Sequence, residues 1–185
     1  MATHALIYTA AELAFLDLQE ELIKQEVRVS VGLLSEEQAL EVEFRRSRLD
    51  WKWWFREGQH DVENCFSLSL TSPGKPPVVV GVAVYSYDIE IKQVSIHMLE
   101  HFRQAYPNSG VEKRMAWIAF YAAYAFAMIV NAESFRICHP IEDVIPYYQY
   151  WGFKYDGNHM TIERSRFLSR LTEVSDNAGF HAYEW

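Results

Sequence analysis

The sequence predicts an α+β protein with α/β features, in which a mixed, mostly antiparallel central sheet is flanked by helices and organised around one buried helix at about residues 111–130. Residues 115–130, MAWIAFYAAYAFAMIV, are apolar or aromatic without a break, so this helix must be covered on nearly all sides. Its sixteen residues fall short of the roughly 20 that span a bilayer, and Tyr121 and Tyr124 carry hydroxyls that need partners. A core helix is expected, with no membrane partner. Alternation at residues 65–70, separated by SPGKPP from residues 78–87, leads to two antiparallel strands. With 185 residues the chain is expected to form one domain, with a helical extension at 1–26, a core at 27–162 and a C-terminal extension at 163–185.

The first helix is expected to start at a capping box, Thr9 with Glu12, and to run to about Gln25 with Ala11, Phe15, Leu18 and Leu22 on one stripe. At Val27 the period becomes two. Val27, Val29, Val31 and Leu33 alternate with Arg28, Ser30 and Gly32, as in a half-buried strand. Ser35 with Gln38 caps a second helix that carries Leu40, Phe44 and Trp51 on one face and leads through WKWWFREG to Gly58. Trp51, Trp53 and Trp54 cannot all point one way on a helix, so core packing is expected of them, with one available to line a pocket. In the strand at 65–70, Phe66, Leu68 and Leu70 face inward.

Residues 94–102, VSIHMLEHF, fit two periods. As a strand they place Val94, Ile96 and Met98 on one face; as a helix they place Val94, Met98 and Phe102 on one stripe and His97 with His101 on another. In the helical form His97, Glu100 and His101 spell H-x-x-E-H, a zinc-binding pattern with a glutamate general base. No third ligand is marked downstream, so no metal is expected. Farther on, residues 134–138 form a short strand ending at His139-Pro140. Asp143 and Pro146 then open a brief helix through Tyr147, Tyr148, Tyr150 and Trp151 that Gly152 ends. Residues 153–155, an Asp156-Gly157 turn and residues 160–162 give two strands or one broken strand, and RSRFLSRL a surface helix. The aromatic residues at 180–185 are placed to dock back or to meet a second copy, so a homodimer is a possible assembly.

A net charge of −8 argues against general nucleic-acid binding, which needs a basic footprint, and leaves room only for a local basic patch. Cys65 and Cys138 are too few and too far apart for a disulfide framework. The first residues show no basic segment followed by an apolar one, so a cytoplasmic location is expected.

A turn with Pro107, Asn108, Ser109 and Gly110 leads into the central helix. The helix start presents backbone N–H groups and a partial positive charge, and two readings stand side by side. Ser109 with Glu112 is a capping box that needs no ligand. Alternatively, Gly110 lets a phosphate approach the backbone, and Lys113 and Arg114 add positive charge.

The order of elements, together with PYYQYWGFKYDG, resembles the GNAT superfamily of acyl-CoA N-acyltransferases. The piece that carries the likeness is Tyr148, three residues, then Gly152 and Phe153, which looks like the family's Tyr-x-x-x-Gly-Phe ending of its last helix. The resemblance implies acetyl-CoA or another acyl-CoA as co-substrate, lying where the strand before the central helix splays from the next. Its pyrophosphate would rest on Gly110, Val111, Glu112, Lys113 and Arg114. The family's loop of Arg or Gln, two residues, Gly, one residue, then Gly or Ala is matched here by Pro107, Gly110 and Glu112, so only Gly110 agrees. The family's asparagine early in the last helix is also missing.

The resemblance implies N-acyl transfer to a small-molecule or protein amine acceptor, with Tyr148 donating a proton to the departing sulfur and Glu100 or His97 taking the amine proton. Bulk negative charge favours cationic amines such as polyamines, aminoglycosides or lysine side chains. The altered loop makes a GNAT-like binding or assembly protein without catalysis the rival reading, and H-x-x-E-H a zinc hydrolase the third.

Overall fold

The computed structural model describes residues 2–102, 110–112 and 114–176. Seven strands form one sheet in the order β1-β2-β3-β4-β5-β7-β6. They are β1 Ser30–Leu33, β2 Cys65–Thr71, β3 Val79–Asp88, β4 Gln93–His101, β5 Ser134–Cys138, β6 Lys154–Tyr155 and β7 His159–Glu163. Neighbours run antiparallel except β4 and β5, which are parallel. The helices are α1 Ala2–Lys24, α2 Glu36–Glu43, α3 Trp51–Arg56, α4 Met115–Val130, α5 Ile145–Tyr150 and α6 Arg164–Asp176. A parallel pair needs a crossover, and α4 provides it.

One face of the sheet buries Phe66, Leu68, Leu70, Val94, Ile96, Phe135, Ile137, Met160 and Ile162 in a single cluster with α1, α4 and α6. Alanines at 119, 122, 123, 125 and 127 let neighbours approach α4 closely, and Phe120 and Phe126 fill the gaps. Asn131 ends α4 with φ +55, the left-handed conformation that asparagine tolerates. Of the two tyrosines on α4, Tyr121 donates to Asp17 Oδ2 at 3.0 Å. On the opposite face Val42, Trp51, Trp54, Val79, Val82, Val84 and Phe102 form a second cluster under α2 and α3. None of the described helices is long and apolar enough to cross a membrane.

Several sequence expectations need correction. Helix α1 begins at Ala2, and Thr9 lies inside it, its Oγ1 donating to Ala5 O at 3.0 Å instead of capping a terminus. Strand β1 is shorter than residues 27–33, because Glu26 takes a left-handed φ of +59 and Val27 N–H donates back to Leu22 O at 2.9 Å. The Ser35–Gln38 capping box is present, but the expected long helix is two pieces, α2 and α3. Leu40 and Phe44 are consequently exposed while Val42 is buried, since the break at 44–50 changes which side of α2 faces the sheet. Of the tryptophans, Trp51 and Trp54 are buried and Trp53 is 51% exposed. Helix α4 starts at Met115, later than residue 111, with Arg114 as N-cap. Helix α6 is more than a surface element, because Phe167 and Leu171 are buried against α4 and β5. The aromatic residues at 180–185 lie outside the described residues.

Candidate functional site

Strand β4 settles the ambiguity of residues 94–102. Its register with β3 pairs Tyr85 with Ile96 and Val84 with Met98, so His97 is an inserted residue, a β-bulge. The bulge breaks strict alternation. Val94, Ile96 and Leu99 face α4, whereas His97, Met98 and Glu100 face α3. His101 pairs with Gly81, whose missing Cβ would point at Met115 of α4, so His101 stands on the face opposite His97. The zinc reading of H-x-x-E-H is therefore overturned, and no group of three or more metal-ligating side chains occurs among the described residues.

The same strand forms a fork with β5. The two pair only from Gln93–Ser134 to Ile96–Ile137. Beyond that, residues 97–101 stay on β3, and Cys138 stays on β7 through His159. Strand β5 then ends in His139 at φ +47, a strained value for a side chain before proline. An opening between neighbouring strands results, with backbone amides along its edge.

Three elements carry the candidate residues. The first is the start of α4, where the N-cap Arg114 offers no side-chain acceptor to the first backbone N–H groups and no acidic residue lies in the first turn. The capping-box reading of Glu112 is corrected, because Glu112 precedes the N-cap instead of following it by three residues; Ser109, the other half of that box, lies outside the described residues, as does Lys113. Gly110 has φ +80, a conformation suited to glycine, and Val111 is buried. Arg114 Nη1 donates to Gln25 O at 3.4 Å and to Gln25 Oε1 at 3.3 Å, which ties the N-cap to the end of α1.

The second element is α5. Tyr148 packs with Phe120, Tyr147 and Phe153, and Gly152 turns the chain at φ +92. Burial, then the neighbouring Tyr147, pushes the Tyr148 hydroxyl well above the usual tyrosine range. It stays protonated at neutral pH.

The third is the bulged strand. His97 Nε2 lies 2.7 Å from Ser86 Oγ, and its ring lies 5.2 Å from that of Trp54. Burial first, and then the charges of Arg136, His139 and His159, lower His97 to about 4. The imidazole is neutral at pH 7. Glu100 accepts from Trp51 Nε1 at 2.7 Å, from Arg48 N–H at 2.9 Å and from Ser47 Oγ, so its carboxylate holds the 44–50 loop against the sheet.

The folded His97 value lies below the roughly 6.5 of an unfolded histidine. Between these two values the unfolded chain binds more protons, so stability is present at neutral pH and lost as pH falls from about 6.5 towards 4. Urea melts at pH 7 and pH 4.5 should show His97→Asn losing less stability on acidification than wild type, by up to about 3 kcal/mol. An equal loss would mean the imidazole is not buried as described.

Two residues at the fork escape a reading of the sequence as motifs: Arg136 and His159. The alternation of SFRIC is a signal that sets Arg136 away from Phe135 and Ile137, but no local pattern shows which strands flank it.

No family model matches the chain, and no curated protein matches it at a significant level. Solved structures do. The chain is similar to AtaTR bound with AcCoA, with a TM-score of 0.58 and 12% identity over 77% of this chain and 97% of that one. It is similar to a tyrosine-to-phenylalanine variant of KacT, with a TM-score of 0.56 and 11% identity over 77% and 98%. The spermidine/spermine N-acetyltransferase SpeG from Vibrio cholerae gives a TM-score of 0.54 and 9% identity over 77% and 96%. Identities this low speak for the fold alone. The strand order, the parallel β4–β5 fork crossed by α4, and these likenesses together give the chain the fold of the GNAT acetyltransferases.

Proposed function

We propose that this protein is an N-acyltransferase that moves an acetyl or other acyl group from acyl-CoA to an amine. The observation that carries the reading is the fork: two strands part beyond Ile96 and Ile137, near a helix start whose first backbone N–H groups the N-cap side chain does not cap. Amides at such a helix start favour a phosphate, and the parted strands leave room for an extended chain. AtaT has been solved with acetyl-CoA and also complexed with acetyl-methionyl-tRNAfMet, and SpeG is named for polyamine acetylation. The acid at Glu112 opposes a diphosphate by charge, and it is the feature that favours a second reading, a binding module without catalysis.

In the transfer reading a neutral amine attacks the thioester carbonyl, a C–N bond forms and the C–S bond breaks. Backbone N–H groups on the free edge of β4 polarise the carbonyl oxygen. Tyr148, kept protonated by burial, donates to the departing sulfur and regains a proton from solvent. In this reading the amine proton leaves through His97, which is neutral and faces α3. Glu100 contributes by fixing the loop before α3; a direct proton-accepting role would require it to give up one of its three hydrogen bonds.

Acetyl-CoA in the millimolar range is expected to raise the melting temperature, because a ligand at about 100 times its dissociation constant adds roughly 2.7 kcal/mol. No shift at that concentration would remove the transfer reading and leave the binding-module one.

A further inference from the structure

Across the sheet, Ser95, Arg136, Thr161 and Lys154 are register partners in successive strands, so they project from one face. It is the face away from α4, since the residues alternating with them lie in the α4 cluster. Arg136 and Thr161 are half-buried there and Lys154 is exposed. Two residues farther along β5, Cys138 pairs with His159 on the same face.

Arg136 forms no ion pair among the described residues. Asp156, an acid that feels the Arg136 charge, is committed to the β6–β7 turn, where Oδ1 accepts from the N–H groups of Asn158 at 2.9 Å and His159 at 2.7 Å. A second donor stands beside Arg136. Asn158 Nδ2 lies 3.0 Å from His159 Nε2, and Asn158 Oδ1 lies 3.1 Å from His139 Nδ1. The amide nitrogen can only donate, so His159 Nε2 accepts and the neutral ring carries its proton on Nδ1. That Nδ1–H is buried and has no hydrogen-bond partner. A buried unpaired donor and an unpaired guanidinium on one face are both relieved by the same thing, an anion. Trp54 Nε1, against His97, is a further buried donor without a partner.

We propose that Arg136 and His159 hold a carboxylate or phosphate carried by the amine acceptor itself. The acceptor is then a zwitterionic or acidic amine, with its nitrogen at the fork and its anion on the guanidinium, rather than the polycation that bulk charge suggests. The inference rests on the transfer reading for its amine, but the anion site can be tested without transfer. Calorimetry on the protein alone compares phenylalanine with phenethylamine, for a carboxylate, and phosphoethanolamine with ethanolamine, for a phosphate, with spermidine alongside. The acid-bearing member of at least one pair should bind about tenfold or more tighter than its partner. Arg136→Gln should erase that preference, and Arg136→Lys, which keeps the charge but loses the planar fork, should restore part of it. Acetyl-CoA affinity should match wild type in both variants, showing that the fold is intact.

If neither acid binds at millimolar concentration, if spermidine or the acid-free amines bind as well, or if Arg136→Gln keeps the preference, the proposal is overturned. Should the acid preference be present while acetyl-CoA fails to bind, the anion site stands and the transfer reading falls. Acetyl-CoA binding without any acid preference removes the anion site and leaves the transfer reading in place.

Discussion

Replacing Tyr148 by phenylalanine is expected to lower kcat for acetyl transfer by about 10²-fold, the lower end of what a positioned proton donor supplies. Only the hydroxyl is removed. The ring contacts with Phe120, Tyr147 and Phe153 remain, so neither the melting temperature nor the KM for acetyl-CoA should change much. No described residue hydrogen-bonds that hydroxyl, so the substitution leaves no partner unpaired among them. Thiol release followed with a chromogenic thiol reagent gives the rate. Tyr147→Phe, one residue away, is the control: an equal loss in both variants would point to packing of α5, and a Tyr148→Phe rate within threefold of wild type would end the proton-donor role.

The second large effect concerns stability. Phe120 is wholly buried and its ring meets Tyr148, Trp151, Phe153 and Phe167, so it joins α4 to α5, the chain entering β6, and α6. Phe120→Ala should cost about 3–5 kcal/mol, through lost burial and the cavity left in a close-packed region. For a chain of this size each kcal/mol moves the melting temperature by roughly 2–4 °C, so a fall of about 6–20 °C is expected. Because Tyr148 leans on the same ring, activity should fall at temperatures where the variant is still folded by circular dichroism. A loss under 1 kcal/mol would show that these aromatic contacts do not hold α5 in place.

Where a pattern is local, the sequence by itself determined the element. Uninterrupted apolar residues at 115–130 made α4 a buried helix, alternation made β2, Ser35 with Gln38 capped α2, and Pro146 with Gly152 bounded α5, because each of these depends on neighbours within one or two turns of chain. Arg136 needed the tertiary structure. In SFRIC it is one polar residue among alternating ones, and only the placement of β5 between β4 and β7 sets it beside Ser95 and Thr161.

The same limit explains residues 94–102. An inserted residue at His97 spoils the period of two partway along the strand, so the helix period fits as well as the strand period does, and pairing with β3 is what absorbs the insertion. The start of α4 was misplaced for a related reason: Ser109 and Glu112 have capping-box spacing, but where a helix begins depends also on what its first turn meets, here the end of α1 at Gln25. Periodicity and caps thus fixed the elements, while the fork, the bulge and the face on which each polar side chain stands came from contacts between segments far apart in the chain, which no local pattern encodes.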